Sequence, residues 1–134
     1  MGLSVTDRLA ISELIALHGH LVDAGELDRM GEVFTEDVIY DVTDFGLGVL
    51  RGLAQNRDAA LALGDRNPVG HHVTNIVLSE QPDGTVTARS KAIAVMASGR
   101  AGSATYHDTV VRVGAGWRIS RRVIRARRAP LGRR

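Results

Sequence analysis

The 134-residue chain contains no cysteine. That excludes disulfide stapling, thiolate catalysis and sulfur-ligated zinc or iron–sulfur sites. Only five residues are aromatic, and none of them lies between Arg118 and Arg134. The same segment has no acid and eight arginines, which leaves nine basic against fifteen acidic residues in everything before it. A basic end can neutralise phosphates. Without stacking aromatics, and attached to an acidic body, it reads instead as a last strand with one arginine-bearing face and a frayed basic tail. No nucleic-acid partner is expected. The N-terminal stretch MGLSVTDRLAISELIALHGHL mixes acids with its apolar residues and has no basic leader before an apolar run. It therefore reads as neither a signal peptide nor a membrane span, and a cytoplasmic protein is expected. The glycine-rich phosphate loops GxGxxG and GxxxxGK[ST], the GxSxG nucleophile turn and the HExxH metal pair are all missing. No metal site is expected.

Hydrophobic residues at 44% and charged residues at 24% are globular values. A chain of this length buries roughly two-thirds of its unfolded surface. Residues 6–22 carry Leu9, Ile11, Leu14, Ile15, Leu17, Leu21 and Val22 at helical spacings, with Ser4 or Thr6 as cap and Asp7 in the first turn. A short helix over 26–33, a strand over 38–42, a loop over 44–48 and a helix over 54–63 follow. The texture then becomes β-rich: 69–80, 85–98, 104–113 and 116–124 read as four strands. Gln81-Pro82-Asp83-Gly84 and two glycine-containing segments provide the turns. Helices followed by hairpins predict an α+β domain with helices on one face of an antiparallel sheet. Such an arrangement encloses a concave apolar cavity.

The polar residues that can enter that cavity are few. His18 lies on the apolar stripe of the first helix, whereas His20 is ~200° away and solvated. Asp23 sits at the helix end, where an acid opposes the dipole. His71 and His72 open a strand, so only one can face inward. Tyr106 and Asp108 share a strand face, and Tyr40 is a further donor. In the last strand Arg121 and Arg122 point to opposite faces, and a bulge decides which turns inward.

The runs FTEDVIYDVTDFGLGVLRG, HHVTNIVL and YHDTVVRVGAGWRISRRV, after a helix holding DAGELD, resemble the SnoaL-like proteins of the nuclear-transport-factor-2-like (NTF2-like) superfamily. The likeness covers about residues 5–126 and is closest in texture to the scytalone and bile-acid dehydratase branch. It implies a cone-shaped α+β barrel with three N-terminal helices on a curved, mainly antiparallel sheet. Residues 1–134 would form one domain, with a basic tail over 127–134. The motif match makes His72 and Asp23 the acid–base pair and turns His71 outward. His18 stands where relatives carry an aromatic or tyrosine, and a protonated His18 would supply the missing hydrogen bond. Ala94-Val95-Met96-Ala97 replaces a further acid or histidine of the relatives. His18, Tyr40, Tyr106, Asp108 and Arg121 or Arg122 would bind substrate. The implied activity is that of a dehydratase, isomerase or cyclase acting, without a cofactor, on a small hydrophobic, ring-containing carbonyl compound. A homodimer through the convex sheet face is implied as well. The competing reading is a non-catalytic member that binds a small molecule or serves as a dimerisation module.

Overall fold

Helix α1 (Val5–Asp23) starts where the Ser4 hydroxyl accepts the Asp7 N–H at 3.0 Å, and the chain is described by a computed structural model over residues 2–133. Asp7 also accepts the indole N–H of Trp117 at 3.1 Å, which ties the start of α1 to the last strand. The buried stripe of α1 is Ile11, Leu14, Ile15, His18 and Leu21. Leu9, counted in the apolar stripe from sequence, is 62% exposed, because it falls about 200° from Ile11 around the helix.

A 3₁₀ helix (Leu27–Glu32) leads into β1 (Phe34–Asp41). The short β2 (Val49–Arg51), which the sequence reading did not include, pairs antiparallel with β1 and runs directly into α2 (Gly52–Leu63). The rest is the expected meander: β3 (Gly70–Glu80), β4 (Val86–Val95), β5 (Ala101–Val113) and β6 (Gly116–Arg127). The sheet order is β2-β1-β6-β5-β4-β3, antiparallel throughout except for the β1/β6 pair. The three helices therefore pack on a curved mixed sheet that is not closed, with β2 and β3 as its edges. The core lies between α1 and the concave face, where Ile11, Ile15, Val33, Val38, Val86, Val110 and Ile119 are fully buried.

Two β-bulges decide which polar residues reach that concave face. In β3, Thr74 pairs with Lys91 but Val77 with Arg89, so β3 has one residue more than β4 over this stretch. The irregularity contains Asn75 in the left-handed region at φ 56°. Between β5 and β6, Thr109 faces Arg121 and Val110 faces Ile119, which leaves Ser120 without a partner. Each inserted residue reverses the in–out alternation beyond it. On β6 the inward set runs Trp117, Ile119, then Arg122 and Ile124, all buried. On β3 it runs His71, Val73, then Ile76 and Leu78.

Candidate functional site

The floor of the cone is built on a buried ion pair. Arg122, on β6, is fully buried, and its Nε and Nη2 donate to the two carboxylate oxygens of Asp108 at 2.7 and 2.8 Å. This fork geometry is the strong, bidentate form of the interaction. The Arg122 guanidinium carbon lies 4.2 Å from the Tyr106 ring centre and 5.4 Å from that of Phe34. Burial opposes charge on Arg122, but the Asp108 carboxylate outweighs it and holds the guanidinium firmly protonated. Asp108 and Tyr106 reach the same space because they alternate on β5 and face Arg122 and Ile124 of β6.

His18 is 3% exposed, and its Nδ1 accepts a hydrogen bond from Arg122 Nη1 at 2.9 Å. Burial, then the adjacent Arg122 and His71, push its pKa well below the ordinary histidine value. The expectation of a protonated His18 is thereby corrected: the ring is neutral, because a cation sits on one of its nitrogens and no carboxylate touches the other among the described residues. Tyr40 and Tyr106 complete the cluster, with ring centres 6.2 and 6.5 Å from that of His18. Burial raises both phenol pKa values, so both hydroxyls keep their protons.

Nearer the opening, Asp23 at the end of α1 meets β3. One carboxylate oxygen lies 2.6 Å from His71 Nδ1, and the other accepts the His71 backbone N–H at 2.9 Å. The two side chains are 16% and 26% exposed, so the pair is sheltered yet reachable. The ring centres of His71 and His18 are 6.3 Å apart. A carboxylate only accepts, so His71 Nδ1 carries the proton in this contact and Nε2 presents the lone pair.

The pairing of Asp23 with His72 expected from the motif match is therefore incorrect. His72 is exposed on the outer face of β3, with its Nε2 close over Gly70, and the Asn75 bulge accounts for the exchange. The alternative left open between Arg121 and Arg122 falls to Arg122, which points inward, whereas Arg121 points to the outer face because of the Ser120 bulge. The structure brings together Asp23, His18, Tyr40, Tyr106, Asp108 and Arg122, and adds His71 and Phe34, which the sequence reading did not place there. One signal in the sequence could have found His71. Asn75 is of a residue type that tolerates the left-handed region, as a bulge can require.

The enclosed cavity expected under α1 is filled at its floor by Arg122 and the rings around it. Clefts among the described residues lie elsewhere. One, of about 450 Å³, is lined by Gly31, Phe34, Glu36, Gly52, Leu53 and Ala54. Another, of about 400 Å³, lies on the outer sheet face and includes Arg89, His107, Thr109 and Arg121. Neither includes the His71–Asp23 pair. Among the described residues no group of three or more His, Asp or Glu is placed to hold a metal ion, and no helix is long and apolar enough to cross a membrane.

Helices backing an open, curved sheet with polar groups on its concave side define an NTF2-like, cystatin-like fold. The SnoaL-like domain family matches residues 3–123, and the chain belongs to that family. No curated protein matches it. An NTF2-like protein with a cystatin-like fold from Novosphingobium aromaticivorans is 31% identical, over 90% of this chain and 81% of that one, with a TM-score of 0.71. A candidate aromatic ring hydroxylase from the same organism is 27% identical, over 96% and 94% of the two chains, with a TM-score of 0.79. A candidate scytalone dehydratase, also from that organism, is 22% identical over 97% and 96%, with a TM-score of 0.75, and shows likeness of fold.

Proposed function

We propose that this protein is an acid–base enzyme that needs no cofactor, a dehydratase, isomerase or cyclase for a hydrophobic, ring-containing carbonyl compound. The observation that carries the reading is the two-point contact of Asp23 with His71, through the ring Nδ1 at 2.6 Å and the backbone N–H at 2.9 Å. The carboxylate fixes the tautomer and ring orientation, and stabilises the imidazolium once a proton arrives. Imidazole is the side chain whose charge changes near neutral pH. His71 Nε2 removes the proton α to the carbonyl, and the C–H electron pair becomes the enolate double bond. In a β-hydroxyketone the same Nε2–H then protonates the departing hydroxyl. Water leaves with the C–O electron pair, and the enolate closes to the conjugated ketone. The names borne by two of the similar structures, scytalone dehydratase and aromatic ring hydroxylase, support a ring-containing substrate.

The test is deuterium exchange of α-protons in a panel of cyclic ketones, read by NMR. His71→Ala and Asp23→Asn should each lower exchange ~10²–10⁴-fold with unchanged circular dichroism, whereas His72→Ala should leave it intact. Full exchange in both His71→Ala and Asp23→Asn would overturn the assignment. The filled floor of the cone favours one competitor, a non-catalytic ligand-binding module. Ketone binding without exchange in the unaltered protein would establish that instead. We propose further that two copies associate through the outer sheet face, where Val77 and Ile93 are 54% and 43% exposed. Sedimentation velocity tests it.

A further inference from the structure

Arg122 determines which nitrogen of His18 carries the proton. A guanidinium has five N–H donors and no acceptor, so its 2.9 Å contact demands a lone pair at His18 Nδ1. The neutral ring has one proton, which must then be on Nε2, across the ring from Arg122. Nε2–H donates to no group among the described residues, and Nε2 is not one of the fully buried atoms left without a partner there, which are Thr35 Oγ1 and Ser90 Oγ. His71, 6.3 Å away ring to ring, has the reverse arrangement, with its proton on Nδ1 toward Asp23 and its lone pair on Nε2. A base and a hydrogen-bond donor thus stand side by side, each set by a charged neighbour on its far nitrogen.

We infer that His18, held as the neutral Nε2–H tautomer by Arg122, donates the hydrogen bond that stabilises the substrate oxygen as it becomes an enolate. This rests on the proposed function and adds to it the residue that polarises the carbonyl. His18 is the catalytic residue and Arg122 the positioning residue. The proton lost from the α-carbon goes to His71. The charge gathers on the carbonyl oxygen, which His18 Nε2–H stabilises without transferring its own proton. The Arg122 charge behind the ring strengthens the donor, and Asp108 compensates that charge. The charged and titratable groups around His18 are Arg122 on β6, Asp108 and Tyr106 on β5, Tyr40 on β1, His71 on β3 and Asp23 on α1. None of the carboxylates among them contacts the His18 ring, so nothing there favours a second proton on it.

The experiment is nitrogen-15 NMR of the histidine rings with 2-naphthol as probe, a ring whose ionised oxygen mimics an enolate. His18 should read as protonated at Nε2 alone, and His71 at Nδ1 alone. Bound naphthol should shift the His18 Nε2 proton and bind in its ionised form below its pKa in water. His18→Phe should leave the His71 tautomer unchanged and lower ketone exchange about 10²–10³-fold in kcat with little change in KM. His18→Asn, which retains an N–H donor, should restore part of it. A proton on His18 Nδ1, or equal ionisation of naphthol in His18→Phe, would overturn the inference. The loss of exchange in His71→Ala would still stand in that case, which separates this failure from failure of the functional reading.

Discussion

Gly19 of α1 lies directly against the backbone of His71. A Cβ at this position would sit 2.8 Å from the His71 carbonyl oxygen and 3.4 Å from the His71 Cβ. The helix and β3 therefore approach as closely as a missing side chain permits. That approach sets the end of α1, and with it Asp23, within reach of the His71 ring and backbone N–H.

Gly19→Ala should consequently be destabilising, although alanine in a helix interior is favoured over glycine by roughly 0.5–1 kcal/mol. The contact is with backbone, which cannot swing aside, and overpacking typically costs ~1–3 kcal/mol. Urea denaturation should show a net loss, and the His71–Asp23 bond should lengthen or break. A gain in stability would mean that α1 and β3 separate freely, and the close approach would then not position the site.

The Arg122–Asp108 pair makes a second prediction. Both side chains are wholly buried. Removing one partner leaves an uncompensated charge in the interior, so Arg122→Met should cost ~3–5 kcal/mol. Combining it with Asp108→Leu removes both charges, and the double variant should be more stable than the sum of the single losses implies. Denaturation midpoints of the four proteins check this. Simple additivity would show that the two residues contribute independently.

Burial of a neutral His18 links stability to pH. In the unfolded chain the ring accepts a proton near pH 6.5, while in the fold its pKa lies well below that value. The unfolded state therefore binds the extra proton first as pH falls. The contribution of His18 is fully present above the unfolded pKa and is lost as pH drops toward the folded one, with a slope of at most ~1.4 kcal/mol per pH unit. Asp7, Glu32, Asp41 and Asp83, whose pKa values are also lowered, act in a more acidic window because their unfolded values are near 4. Between pH 7 and pH 5, His18→Phe should flatten the stability profile. An unchanged slope would mean that His18 is protonated in the fold.

Periodicity and turn chemistry carried most of the architecture. The glycine and proline punctuation located all four strands of the meander, the place of His18 on the buried stripe followed from helical spacing, and the shared face of Tyr106 and Asp108 from strand alternation. The two pairs of adjacent like residues were different. His71 against His72, and Arg121 against Arg122, depend on the parity of a strand, and parity is reversed by one inserted residue. Whether Asn75 or Ser120 is inserted is decided by how many residues the neighbouring strand offers opposite it. That is a tertiary property with little local signature. The His18 tautomer is further still from the sequence, since it exists only because β6 brings Arg122 against α1.

The Asn75 bulge makes the final prediction. At φ 56° the residue occupies a region that costs an ordinary L-residue roughly 1–2 kcal/mol, and that is a true outlier for a β-branched one. Asn75→Gly should keep the bulge, with His71 still bonded to Asp23. Asn75→Val should lose about 1–2 kcal/mol if the bulge survives. If the strand instead regularises to relieve the strain, its N-terminal half slips by one residue and its side chains exchange faces. His72 would then turn toward Asp23 and His71 toward solvent. Either outcome is visible in the nitrogen-15 spectrum of the two histidines, together with a denaturation curve. A valine variant with native stability and His71 still on Asp23 would show that the bulge does not depend on the left-handed residue at position 75.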